Sequence, residues 1–182
     1  PEPIRMITPN PHDVVLLCNP QAGGRWRALA DVLDSDEAKG VRRIVTDEIG
    51  DVAEALASVG RRARLLCIYG GDGTIYHVIN QLLSHPHESM PRLAFLGGGT
   101  MNVTGRLCGM TGSPGDNFRA VMRAYLTDKL LWREVPVIDA TGAGEKQRMR
   151  LDQRTRQQQN RVAARVHPRQ QVIRLMAAVH HD

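Results

Sequence analysis

Residues 65–76 read LLCIYGGDGTIY. The first five are apolar, follow Arg64, and read as a buried strand. Past the glycines, Ile75, Val78, Ile79, Leu82 and Leu83 recur at helical spacing and mark one face of a helix over Thr74–Leu83. Gly70, Gly71 and Gly73 therefore stand where a strand turns into a helix. Glycine there permits a positive φ or lets another group come close to the backbone.

A helix start next to glycines presents unpaired N–H groups and a partial positive charge, which suits an anion such as phosphate. Asp72 complicates that picture, because a carboxylate beside a phosphate repels it unless a cation lies between. A hydrated Mg²⁺ resolves the conflict, since it is held by one or two carboxylates, phosphate oxygens and waters rather than by an all-protein cage. A tight turn in which Asp72 or Thr74 merely caps the helix is the simpler alternative.

Working outward, the same alternation repeats. Val14–Cys18 reads as a strand, and Trp26, Leu29, Ala30 and Leu33 mark a helix. Val41–Val45 is a second strand, Val52, Leu56 and Val59 a second helix, and Leu93–Leu96 a fourth strand. Alternating strands and helices predict an α/β fold, a layered, mostly parallel sheet with helices on both faces. Right-handed crossovers then gather all strand C-terminal ends on one rim, where α/β folds bind ligands. The unusual residues do fall there: NPQAGG follows the first strand, Thr46 and Gly50 the second, GGDGT the third and GGGTMN the fourth. Four phosphate-suited loops on one rim predict a single nucleotide-sized site.

Composition narrows the classes. A hydrophobic share of 42% suits a globular domain, and no apolar run approaches the ~20 residues that cross a bilayer. The opening PEPIRMITPNPHD lacks the apolar core of a signal peptide and reads as a Pro-rich polar lead-in over residues 1–12. Cys18, Cys67 and Cys108 are scattered in apolar segments with no metal-binding spacing, as expected of buried thiols in a reducing cytoplasm. The net charge of +5 is uneven: residues 1–144 hold 15 Lys and Arg against 16 Asp and Glu, whereas residues 145–182 hold 9 against 3. The body thus has no basic face for nucleic acid, and no nucleic-acid partner is expected. The only lysines are Lys39, Lys129 and Lys146, and no GxxxxGK[ST] occurs, which excludes a P-loop. Gly71-x-Gly73 lacks the third glycine of the dinucleotide fingerprint.

NPQAGG, TDEIGD, GGDGT and GGGTMN followed by GRLCG together resemble the catalytic domain of the diacylglycerol kinase family, which includes sphingosine kinases and bacterial lipid kinases. GGDGT alone is shared with NAD kinases; the combination with NPxxG and GTxN at this spacing points to the lipid kinases. The likeness runs over residues 13–139. It implies an ATP-binding domain that serves transfer of the γ-phosphate of Mg·ATP to a lipid hydroxyl, diacylglycerol-like or sphingoid. It also implies that Asn19, Pro20, Gln21, Ala22, Gly23, Thr46, Gly70, Gly71, Asp72, Gly73, Thr74, Ile75, Tyr76, Thr100 and Asn102 surround ATP, and that Asp72 positions Mg²⁺ and acts in catalysis. Tyr76 and His77 stand where members usually carry Asn–Glu, Gly97 replaces a usual Pro, and Val103 a frequent Asp. For His77 a place on the surface of the helix is expected.

The family usually continues into a β-rich second domain that supplies lipid binding and the base. Residues 140–182 read instead as a basic, Gln/Arg-rich tail without aromatics or strand-like alternation. The expectation is a largely disordered tail with a marginal amphipathic helix around Val172, Ile173, Leu175, Met176 and Val179, from a truncated or frame-shifted product that transfers phosphate poorly. Expected partners are a lipid substrate at the membrane surface and, as an open option, a second copy of the chain. The place is the cytoplasm, with peripheral membrane contact allowed. Two other functions fit the same fold: a kinase for a soluble substrate such as NAD, and a non-catalytic nucleotide-binding module with a basic tail.

Overall fold

Val14–Cys18 (β1) and Leu65–Tyr69 (β3) are buried at every position, as expected of central parallel strands covered on both faces. The computed structural model describes residues 8–48, 50–59, 63–84, 90–139, 148–151 and 171–178. Arg42–Val45 (β2), Arg92–Phe95 (β4), Leu131–Asp139 (β5), Arg148–Leu151 (β6) and Gln171–Ala178 (β7) complete one sheet in the order β2-β1-β3-β4-β7-β5-β6. The first four strands are mutually parallel, and β7 runs parallel to β4. On its other side β7 is antiparallel to β5, which is antiparallel to β6. The mostly parallel α/β architecture expected from the sequence is the one observed.

The helices are Trp26–Leu33 (α1), Asp51–Val59 (α2), Asp72–Ser84 (α3), Val103–Leu107 (α4) and Pro114–Leu126 (α5). From β1 the chain steps one way to β2, then returns past β1 to β3 and β4. Right-handed crossovers place α1 on one face of the sheet and α2 and α3 on the other. Their packing agrees, with α1 against α5 and α2 against α3. Leu29, Val32 and Leu33 are the buried stripe of α1; Ile75, Val78, Ile79 and Leu82 are that of α3. Each such side chain contributes roughly 1.5–3 kcal/mol by leaving water. Helix α5 begins with Ser113, whose hydroxyl accepts the Asp116 N–H at 3.2 Å, and with Pro114 in the first turn. A Cβ at Gly115 would overlap the Ala28 carbonyl, so that glycine lets α5 approach α1.

The register fixes the rim. Cys18 pairs with Tyr69 and Ile68 with Phe95, so the loops after β1, β3 and β4 leave the sheet at one level. The chain reverses its direction across the sheet between β1 and β3, the switch point at which such sheets open a crevice.

Two expectations need correction. Helix α3 starts at Asp72, not Thr74, so Asp72 and Gly73 lie in its first turn. Residues 171–178 are a strand, not a helix, and Arg148–Leu151 is another where no strand was expected. A short apolar run such as VIRLM satisfies either period. The deciding interaction is backbone pairing: β7 fills the gap between β4 and β5, whose facing N–H and C=O groups would otherwise be unpaired. Val179 and the rest of the tail, like residues 1–7 of the lead-in, lie outside the described residues. Within the lead-in, Pro11–Asp13 form a 3₁₀ turn whose His12 N–H is accepted by Asn10 Oδ1 at 3.0 Å.

Candidate nucleotide site

Asn19, immediately after β1, ties two loops together. Its N–H donates to the Tyr69 carbonyl at 2.9 Å, and its Nδ2 donates to Thr74 Oγ1 at 3.2 Å. Its Oδ1 accepts the Gln21 N–H at 3.1 Å, and its carbonyl accepts the Ala22 N–H at 3.1 Å. That Asx turn folds Pro20–Ala22 over the end of β3, where the Tyr69 hydroxyl donates to the Ala22 carbonyl at 3.3 Å. Burial pushes the Tyr69 phenol upward, with Cys18 adding and Arg25 opposing, so it remains a neutral donor. Its ring lies 5.5 Å from that of Trp26 in a tilted pair.

The loops after β1, β3 and β4 approach through glycine. Gly23, with φ +72°, faces the Gly98 carbonyl, and a Cβ there would overlap it. A Cβ on Gly99 would come within 2.7 Å of the Gly71 Cα, and one on Gly70 would run into Thr74. The Gly98 N–H donates to the Gly70 carbonyl at 2.9 Å. Neither Gly71 nor Gly73 has a positive φ. Close approach, not a left-handed turn, is what GGDGT needs at Gly70; a Cβ on Gly71 would make only ordinary contact with the Gly99 Cα at 3.6 Å, and Gly73 is exposed and faces open space.

Asp72 does not cap its own helix by any bond seen here. Its Oδ1 accepts the Thr104 N–H at 3.1 Å and the Thr104 hydroxyl at 3.0 Å; its Oδ2 accepts the Val103 N–H at 3.3 Å. The carboxylate therefore joins the start of α3 to the start of α4. Asn102 sets the position of α4: it takes φ +45° and is 8% exposed, with its amide wedged between Gly97 and Gly105. A side chain on either glycine would overlap that amide, and Gly97 takes φ +78°, which a proline cannot adopt. Asn102 Oδ1 has no hydrogen-bond partner.

Of the expected residues, Asn19, Gly23, Gly70, Gly71, Asp72, Gly73 and Thr74 meet on the rim between β1, β3 and β4, with Pro20, Gln21 and Ala22 in the adjoining turn. Thr46 is buried at the end of β2, and both its N–H and its hydroxyl donate to the Cys18 carbonyl, at 2.8 and 3.2 Å. Ile75 is a core residue whose N–H is used by the Gly71 carbonyl at 3.1 Å. Tyr76 sits on α3 with its ring edge-on to that of His77, 5.4 Å away; His77 is half-buried rather than fully on the surface. Thr100 is exposed and lines an open groove with Met101, Val103, Arg106 and Leu107. Sequence reading missed Thr104, since a hydroxyl two places beyond GTMN has no motif of its own. It also missed Asn117, whose Nδ2 donates to the Leu96 carbonyl at 2.9 Å and to the Gly112 carbonyl at 3.2 Å, pinning α5 to the end of β4.

These residues fit a phosphate chain with a hard cation. The loops meet through glycine backbone at Gly23, Gly98, Gly71 and Gly99, and the first turn of α3 is open above Gly73. One carboxylate with lone pairs to spare suits Mg²⁺, which takes its other oxygens from phosphate and water. Among the described residues no group of three or more His, Cys, Asp or Glu forms a metal cage, and no helix is long and apolar enough to cross a membrane.

The diacylglycerol kinase catalytic domain model matches residues 13–130. Three solved structures from Bacillus anthracis str. Sterne are similar. One, described as a diacylglycerol kinase, is 25% identical with TM-score 0.56, over 68% of this chain and 42% of that one. A second, described as a putative diacylglycerol kinase, is 24% identical with TM-score 0.57, over 69% and 44%, and speaks for the fold alone. A third of the same description is 25% identical with TM-score 0.57, over 71% and 45%. The matched part spans less than half the length of those proteins. No curated protein matches the chain.

Proposed function

The chain belongs to the diacylglycerol kinase catalytic domain family, and from that premise we propose that it is the Mg·ATP-binding part of a lipid kinase. The reaction is transfer of the γ-phosphate to a lipid hydroxyl at a membrane surface. The observation that carries this reading is the glycine-lined cradle at the switch point, where Gly23, Gly70, Gly71, Gly98 and Gly99 bring three loops together beside Asp72.

Such a transfer needs little covalent chemistry from the protein; positioning and charge stabilisation dominate. Here Asn19 and Thr74 hold the β1 and β3 loops in register, so that backbone N–H groups at the start of α3 face the phosphates. Asp72 is the residue that would hold Mg²⁺, which when bound neutralises phosphate charge. A lipid acceptor rather than a soluble one is favoured by the groove beside Asp72: Met101, Val103 and Leu107 are 69%, 37% and 50% exposed, an apolar surface a soluble acceptor does not require.

The test is calorimetry of ATP with and without Mg²⁺, followed by labelled-phosphate transfer to diacylglycerol or a sphingoid base in mixed micelles and, separately, to NAD. Magnesium-linked ATP binding with lipid phosphorylation is the expected result. Phosphorylation of NAD alone would replace the lipid reading, and absence of ATP binding would remove it.

A further inference from the structure

We propose that Thr104 is a positioning residue for Asp72, and that it reserves one oxygen of that carboxylate, Oδ2, for a cation. The inference rests on the Mg·ATP reading above and goes beyond it by assigning the two oxygens different tasks.

A carboxylate offers about four lone-pair sites, two on each oxygen. Thr104 fills both on Oδ1, with its N–H at 3.1 Å and its hydroxyl at 3.0 Å. Oδ2 receives only the Val103 N–H, at 3.3 Å, the longest of the three contacts. Oδ2 thus keeps a lone pair and Oδ1 does not. The donors are held firmly in turn. Thr104 is 9% exposed, Asn102 before it is wedged between Gly97 and Gly105, and the Met110 N–H closes the far end of α4 on the Gly105 carbonyl at 2.9 Å. Asp72 is not buried enough for packing to fix its rotamer. The Thr104 hydroxyl is the donor that a side-chain change can remove while the backbone donors remain. Since Mg²⁺ demands near-ideal octahedral geometry, a carboxylate free to rotate should bind it less well than one pinned on a single oxygen.

The experiment compares wild type, Thr104→Ser and Thr104→Val by calorimetric titration of ATP at graded Mg²⁺. Amide hydrogen exchange at residues 103 and 104 is measured on the metal-free proteins. Thr104→Val is nearly isosteric and removes only the hydroxyl; a hydrogen bond to a charged group is worth enough that half-saturating Mg²⁺ should rise about tenfold. Thr104→Ser should stay within about twofold of wild type, because its hydroxyl can make the same bond. ATP affinity in chelator should be the same in all three. Faster exchange at both amides in the valine variant alone is the expected structural signature. Unchanged Mg²⁺ linkage in Thr104→Val, or an equal loss in Thr104→Ser, would overturn the assignment. A wild type whose ATP binding ignores Mg²⁺ would overturn the cation reading and the reservation of Oδ2. In that case unchanged exchange in Thr104→Val would also remove Thr104 as the residue that orients Asp72.

Discussion

Gly23 meets the carbonyl of Gly98 with no room for a side chain between them, and does so at φ +72°. The loop after β1 and the loop after β4 are therefore joined backbone to backbone across the end of β3. Gly24 has almost the same φ, +69°, but open space around it. The pair separates two effects. Gly24→Ala should lose only the left-handed conformational cost, about 1–2 kcal/mol. Gly23→Ala should lose that and force the two loops apart as well, with a visibly larger fall in thermal midpoint. Equal midpoints for the two variants would show that the contact with Gly98 contributes nothing.

Asn19 offers a second test of the same rim. Asn19→Ala removes both the acceptor for the Gln21 N–H and the donor to Thr74 Oγ1, whereas in Asn19→Asp the acceptor stays and the Thr74 hydroxyl can turn to donate to the new carboxylate. A neutral hydrogen bond is worth about 1 kcal/mol, and for a domain of this size each such loss in Asn19→Ala lowers the midpoint by about 2–4 °C, with Asn19→Asp nearer to wild type. The added negative charge beside the proposed phosphate site should weaken ATP binding more than Asn19→Ala does. Stronger binding in the aspartate variant would place the phosphates away from this loop.

Much of this was legible because the signals are local. LLCIY and VVLLC are short apolar runs whose length and flanking turn residues mark strands buried on both faces, and parallel topology then brings the glycine-rich loops after them to one rim. The role of Gly71 was only half legible: composition announced a special backbone, yet the residue with no room for a Cβ is Gly99, from another loop, which packs against the Gly71 Cα. Asp72 shows the same limit more sharply. Its partners, Val103 and Thr104, lie about thirty residues away and belong to a five-residue helix with no periodicity to read. The strand β7 was misread because its pairing partners, not its own pattern, decide its conformation.

The core thiols predict how stability responds to alkali. Burial pushes the Cys18 thiol from 9.0 up to about 12, with Arg43 opposing, and burial with Cys18 nearby pushes Cys67 further up. Well below pH 9 the thiols are protonated in both folded and unfolded chains and add no pH dependence. Above pH 9 the unfolded thiols ionise while the folded ones do not, so stability falls as pH rises, by about 1.4 kcal/mol per unit for each thiol. Urea midpoints between pH 8 and 10.5 should therefore slope less steeply in Cys67→Ala than in wild type. The alanine variant starts from a lower stability because of its cavity, but the slope is the observable. Parallel slopes would mean that Cys67 titrates alike in both states.

Gly73 separates stability from binding. It lies in the first turn of α3, exposed, without a positive φ, and a Cβ there meets nothing within 4 Å. For the fold alone, alanine is the better residue, worth up to about 0.5–1 kcal/mol through the lost freedom of the unfolded chain. Glycine at this position is thus unexplained by packing, unlike Gly23, Gly70 or Gly99. A phosphate lying over the first turn would account for it, since that ligand needs the space a methyl group would take. Gly73→Ala should accordingly raise the thermal midpoint of the free protein and weaken ATP binding by tenfold or more, about 1.4 kcal/mol. Opposite shifts in the two measurements are the expected result. A variant that is stabilised and binds ATP as tightly as wild type would show that the nucleotide does not pass over this turn.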